Sequence, residues 1–278
     1  MKRWICLLSL LGLLSGCGAV MPLDQEGSAE DIIHYQVEIQ ENVQEFPAAD
    51  GSVVLRSTLE LPVLTAYHGE KLIETAASQE EQTALDTVET FNVCFEDWQA
   101  EGEIAQLSET AKELEAEWEW RQEMGLDQTY EVGLDCEVYQ TQQMISVKGT
   151  YMSYLGGAHP NTGFLSWNFD LTSGSFLSPL LLAEDTKLFS EAVQKEILRQ
   201  AAQPREDGTV PIENYWQEYP MIVKDWSHYA VSFDEKGMEV TFSPYELASY
   251  AEGPQTFRFS YEWLTPYLGQ HGLVLLEK

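Results

Sequence analysis

The sequence predicts an α+β fold, a mainly antiparallel sheet with helices packed on one face. Some runs alternate apolar with polar residues, and others repeat apolar residues every three to four positions. The two kinds fall into separate blocks rather than in strict strand–helix alternation. No internal repeat is visible.

The elements follow in order. Ile33, Tyr35, Val37 and Ile39 alternate with polar residues, and Val53, Leu55, Leu59, Leu61 and Val63 nearly do, which predicts two half-buried strands. The period then lengthens. Leu85, Val88, Phe91, Phe95 and Trp98, and after a break near Gly102, Ile104, Leu107, Ala111, Leu114 and Trp118, predict two amphipathic helices with acidic outer faces, the second stopping at Gly125. Alternation returns at Tyr130, Val132, Leu134, Cys136 and Val138, at Ile145, Val147 and Tyr151, and at Leu165, Trp167, Phe169 and Leu171, three strands of one antiparallel meander.

Ser178-Pro179 has helix-start chemistry, a capping hydroxyl before a proline at the first helical position. A helix with Leu188, Phe189, Ala192, Val193 and Ile197 on its buried stripe is expected to run from there to about Ala202. A polar loop from Pro204 to Pro211 leads into an aromatic segment. Tyr229, Val231 and Phe233 then pair with Met238, Val240 and Phe242 across a turn at Lys236-Gly237, and Phe257, Phe259 and Tyr261 form a last strand.

The N-terminus carries a different signal. Met1-Lys2-Arg3 opens an apolar run too short to span a bilayer, closed by Leu14-Ser15-Gly16-Cys17, which spells a lipobox. Similarity to bacterial lipoprotein signals implies that residues 1–16 are a signal peptide, that Cys17 is acylated (palmitate), and that residues 17–30, with Gly, Pro and Ser and no periodicity, are a flexible tether. Acyl chains add roughly 0.8 kcal/mol per buried CH₂. The expected location is the extracytoplasmic face of the cell membrane, held by the lipid. Residues 31–170 and 171–272 are expected to form N- and C-terminal α+β domains packed as one unit.

The chain holds 46 acidic against 15 basic side chains, a net charge of −31, and loss of Lys2 and Arg3 with the signal makes it two units more negative. Such a field repels nucleic acid and speeds encounter with cationic partners. Cys6 leaves with the signal and Cys17 takes lipid, so Cys94 and Cys136 remain. In an exported protein they are a disulfide candidate, closing a loop of about 42 residues worth roughly 4 kcal/mol in the chain-entropy model. Two buried thiols are the competing reading.

Three stretches resemble a known family: Tyr154 to Thr162 (Tyr-Leu-Gly-Gly-Ala-His-Pro-Asn-Thr), Asn168 to Gly174 with Leu177, and Phe242 to Ala248 with Tyr250 to Pro254. They are similar to the extracellular domain of the lysozyme-sensing anti-sigma-V factor (RsiV-like), a domain shared with the accessory part of peptidoglycan N-acetylglucosamine deacetylases (PdaC-like). The likeness spans about 31 to 270. It departs at Ser249, where the family usually has proline. The resemblance implies a deacetylase-accessory-like N-terminal domain and an RsiV-like C-terminal one, here in a lipoprotein without the sensor's spanning helix or the deacetylase's catalytic domain.

No catalytic motif stands out. The five histidines, His34, His68, His159, His228 and His271, are scattered, with no His-Glu-x-x-His, serine elbow, P-loop or dinucleotide fingerprint. Ser232 to Gly237 faintly resembles a polysaccharide-deacetylase Asp-Asp motif and is read as a hairpin turn. No metal or cofactor is expected. For ligand binding, His159 and Asn161 lie with Tyr154 around a Gly-Gly, Pro-containing loop, where the imidazole either meets a ligand or ties the loop to its own backbone. Tyr215, Trp216 and Tyr219 are the surface aromatics of the dense stretch before Tyr229, and Trp226 is expected in the core. The expectation is a non-catalytic, surface-anchored lipoprotein that binds a cationic muramidase such as lysozyme, or peptidoglycan glycan. The alternative is an envelope enzyme or enzyme accessory acting on peptidoglycan.

Overall fold

The computed structural model describes residues 32–125 and 129–278. The lipobox, the acylation of Cys17 and the 17–30 tether lie outside the described residues. Among those described, no helix is long and apolar enough to cross a membrane.

Strands β1 (Ile33–Pro47) and β2 (Val53–His68) form a long antiparallel hairpin, extended by the short β3 (Lys71–Leu72). Helix α1 (Gln79–Gln99) starts at Ser78, whose hydroxyl accepts from Glu81 N, while the Glu81 carboxylate accepts from Ala77 N. Helix α2 (Leu107–Glu123) follows a single 3₁₀ turn at Ile104–Gln106. Then come β4 (Tyr130–Gln140), β5 (Met144–Tyr154), β6 (Asn161–Asp170) and β7 (Ser175–Phe176). The sheet order is β1-β2-β4-β5-β6-β7, every neighbour antiparallel except β2 and β4. Those two run parallel from Leu55↔Tyr130 to Leu59↔Leu134, because α1 and α2 carry the chain back to the same end of the sheet.

The residues that set the predicted periods make this core. Phe91 and Phe95 of α1 pack on Leu134, Ile145, Val147 and Phe169, and Phe91 meets the Phe169 ring edge-on at 5.2 Å. Leu107, Ala111 and Trp118 of α2 cover Leu55, Tyr130 and Val132. Cys136 is buried in the first of these clusters, but Cys94 lies half-buried beside Ser166 and Trp167, and both are free thiols. The disulfide candidate is thus not formed.

The second half has one corrected helix. Ser178-Pro179 opens only a 3₁₀ turn (Pro179–Leu182), and α3 runs Thr186–Ala201, capped by Asp185, whose Oδ1 accepts from Lys187 N and Leu188 N. An Ala183–Leu268 bridge and the Glu184 N to Tyr267 O bond hold the intervening residues extended. Phe189, Val193 and Ile197 are buried as expected, but Leu188 is exposed. A single turn, α4 (Tyr219–Ile222), precedes β8 (Ala230–Asp234), β9 (Gly237–Phe242) and β10 (Gln255–Ser260), an antiparallel sheet of order β10-β9-β8. The turn at Gly237 is obligate: φ is +151°, and a Cβ there would stand 2.0 Å from Phe259 O. The last strand stops at Ser260 rather than including Tyr261, because Ser260 caps α5 (Tyr261–Leu264); α6 (Gln270–Leu275) ends the fold.

The two sheets meet through side chains in place of a strand ladder. Phe233 N donates to Ser146 Oγ (2.9 Å), Val231 N to Ser166 Oγ (2.8 Å), and Asn168 Nδ2 to Val231 O (2.8 Å). Ser146 and Asn168 are buried and bonded to each other, so the seam is satisfied without water.

Candidate functional site

Two of the three family-like stretches meet in space. In the β5–β6 loop, Gly156 and Gly157 both have φ near +100°, and Pro160 follows His159. This shape carries the imidazole across to the segment after β9. Its Nδ1 lies 2.9 Å from Pro160 O, and a carbonyl can only accept, so Nδ1 carries the proton. The other nitrogen, Nε2, then accepts from Tyr245 OH at 3.2 Å. The ring stacks on Tyr250 with centroids 3.6 Å apart and planes 12° from parallel. The structural reading of His159 is what the geometry displays: one nitrogen ties its own loop, and the other bonds Tyr245.

Tyr245 is the exposed centre of that cluster. It has φ +72°, a left-handed conformation uncommon for a residue with a side chain, and 55% of its surface is open. Its carbonyl accepts from Trp216 Nε1 at 3.1 Å, and Leu247 O accepts from Trp216 N at 2.8 Å. Beside it, Glu246 is fixed by Ser243 N and His228 Nδ1, the latter at 3.1 Å. His159, Tyr250, Tyr245 and Trp216 therefore form one aromatic surface with a carboxylate at its margin. A surface of this kind suits interface contact, where aromatic rings supply area at low entropic cost.

The remaining expected residues disperse. Tyr154 ends β5 with its hydroxyl 3.4 Å from Gly157 O, bracing the same loop. Asn161 is exposed at the first position of β6, opposite Ser153. Tyr215 and Tyr219 turn inward, against expectation: Tyr215 OH donates to Gln255 Oε1 at 3.1 Å, Tyr219 meets its ring edge-on at 5.8 Å, and both pack on the C-terminal core. Burial, offset in part by Arg205, pushes the Tyr215 phenol up to about 12. Trp226 is half-buried, its indole donating to Ser190 Oγ. Sequence reasoning missed Tyr245, Tyr250, Glu246 and His228 as a set, although the first three stand in the third family-like stretch.

A polar cleft of about 220 Å³ lies where the two sheets meet, lined by Lys148, Asp234, Glu239 and Arg258 among others. Lys148 Nζ reaches the buried Glu239 at 2.8 Å, and Arg258 pairs with both Glu239 and Asp234. Among the described residues, no group of three or more His, Cys, Asp or Glu side chains is arranged to hold a metal ion.

Comparison with known proteins finds two matches, one within the first sheet and its helices and one within the second half. Residues 49–162 match the family described as Deacetylase PdaC, and residues 181–262 match a protein family of unknown function, DUF3298. The fold resembles a crystal structure of a DUF3298-family member from Bacteroides fragilis, at 13% identity and a TM-score of 0.56, covering 87% of this chain and 97% of that one. A DUF3298-family protein from Pseudomonas aeruginosa aligns at 12% identity and a TM-score of 0.48, over 88% and 98% of the two chains. No curated protein matches.

Proposed function

From a chain that pairs a PdaC-like segment with a DUF3298 segment, we infer a peptidoglycan-related accessory protein that binds rather than cleaves. Its partner at the aromatic surface is a cationic wall-active protein of the lysozyme type. The observation that carries this reading is the ring cluster of His159, Tyr250 and Tyr245, with the exposed Trp216 indole donating to the Tyr245 carbonyl, on a chain with net charge −31. Rings presented on a rigid loop pair anchor a protein partner, and the acidic field draws a basic one in quickly. Acylation at Cys17 would hold the module at the outer face of the membrane, where such enzymes act.

Isothermal titration against lysozyme at low and moderate salt tests the binding. Micromolar affinity that weakens with salt is expected, and Tyr245→Ala or Trp216→Ala should cost at least about tenfold while leaving the unfolding midpoint in place. No heat at micromolar concentration in either buffer overturns it. Fatty-acid labelling of the expressed chain, lost in Cys17→Ala, tests the anchor.

A further inference from the structure

Three of the four outer strands of the two sheets offer little to a further strand. Gln200 on α3 closes the edge of β10, its Oε1 accepting from Arg258 N at 3.2 Å and its Nε2 donating to Arg258 O at 2.8 Å. β8 is held by Ser146, Ser166 and Asn168, and β7 is only two residues long. β1, at the other end of the seven-stranded sheet, is 15 residues long.

In an antiparallel pair, opposed residues either exchange both backbone bonds or turn those groups away from each other. Neighbouring bonds fix which pairs of β1 and β2 do the latter. Leu64, opposite Val37, bonds Asn92 through both its N–H and its C=O, and Ala66 O, opposite Tyr35, accepts from Ile73 N at 2.9 Å. Tyr35 O accepts from Gln140 Nε2 at 2.9 Å, again away from β2. The register is unbroken as far as Glu45↔Arg56, so Ile39, Glu41, Val43 and Glu45 all turn N–H and C=O outward. All four residues are exposed, and these backbone groups have no hydrogen-bond partner among the described residues.

Natural sheets block such an edge with lysine, proline or a bulge. β1 has no lysine or arginine, its proline is its last residue, and its register shifts only at Phe46/Pro47. It carries Glu38, Glu41 and Glu45 instead, the last paired with Arg56. A groove of about 680 Å³ lies beside it, lined by Leu61, Pro62 and Val63 with Glu41 and Glu96, and no basic side chain enters that lining. These charges select the occupant. A second copy would bring glutamates against glutamates on molecules of net charge −31, and residues 18–30 carry Asp24, Glu26 and Glu30 with no lysine or arginine.

We propose that the β1 edge from Ile39 to Glu45 takes up an extended basic peptide segment as an added strand. The backbone of the segment pairs with the four outward residues, and its lysine or arginine side chains reach Glu41 and Glu96 in the groove. This surface shares no residue with the aromatic cluster, so failure here and failure of the lysozyme titration are separate results.

The test is fluorescence anisotropy of the full chain with a labelled peptide of alternating lysine and valine, roughly nine residues long so that it spans the edge. Micromolar binding that weakens with salt is expected, with slowed hydrogen exchange at the N–H groups of Ile39, Glu41, Val43 and Glu45. The fully backbone-N-methylated peptide keeps the charge and loses every donor, and it should bind about tenfold more weakly or worse. Val43→Pro removes one outward N–H at a position where an edge strand tolerates proline, and should cost a similar factor with the unfolding midpoint nearly in place. Should that variant fail to fold, the exposed Glu41→Lys carries the same expectation. Absence of binding at millimolar concentration overturns the proposal. Equal affinity for the N-methylated peptide overturns it too, since the field alone then suffices, and a dimer that protects the same amides without peptide overturns it in favour of a second copy.

Discussion

Asn92 on α1 closes both backbone bonds of Leu64 on β2: its Oδ1 accepts from Leu64 N at 2.8 Å, and its Nδ2 donates to Leu64 O at 3.1 Å. β2 pairs with β4 only as far as Leu59, so beyond that point its inner edge would be unpaired, and one carboxamide takes the place of a strand. Leu64 is fully buried. Asn92→Leu leaves both groups without partners and should cost about 2–4 kcal/mol in urea unfolding. A loss below about 0.5 kcal/mol would show that water replaces the amide there.

The Lys148–Glu239 pair links the two sheets at a carboxylate that is 5% exposed. Lys148→Met should destabilise by about 1–3 kcal/mol, less than a wholly buried pair, because Arg258 still neutralises Glu239 from the solvent side. Adding Glu239→Gln should restore part of that loss. A double-mutant cycle with no coupling would place the energy elsewhere.

Acid should expose the contribution of Asp170. Burial works to raise its carboxyl, but the hydroxyls of Thr172 and Ser173 and their backbone N–H groups outweigh it and hold the group below the ordinary carboxylate range. A depressed folded value stabilises the native state above the unfolded value of about 4, and the contribution is lost as pH falls through the folded one. Asp170→Asn should therefore be less stable at neutral pH by about 1–2 kcal/mol, with the gap to wild type closing in acid. A gap constant with pH would mean that the cost is geometric and not ionic.

Both core-half thiols should resist modification until the chain unfolds. Burial pushes the Cys136 thiol up to about 12, helped by Glu60 and Asp135, and raises Cys94 with a smaller push from Asp97. Alkylation without reductant should be slow in the native protein and complete in denaturant, at both positions by peptide mapping. A linked Cys94–Cys136 peptide would contradict the free thiols of the structure.

Most of the secondary structure was legible because each half buries one face of each element, which prints its period on the chain. Phe91 and Phe95 revealed α1, and Met238, Val240 and Phe242 revealed β9. The start of α3 was misread since Ser178-Pro179 and Asp185 carry equally good cap chemistry, and only contacts to Tyr267 and Leu268 decide between them. Of the candidate site, His159 and Trp216 were visible as residue types. Tyr215 and Tyr219 were not separable from Trp216, because aromatic residues serve cores and surfaces alike.

By itself the sequence determined the fold class, the charge and the family-like stretches, all of which depend on local pattern or composition. Tertiary structure alone decided that β2 and β4 run parallel, that Cys94 and Cys136 are free thiols, and that His159 meets Tyr245 and Tyr250 across 86 and 91 positions of chain. The reason is physical. Periodicity records which side of an element is dry, whereas the identity of the neighbour on that side depends on how the loops turn and on which side chains, such as Asn92, Ser146 and Asn168, complete a backbone that no strand reaches.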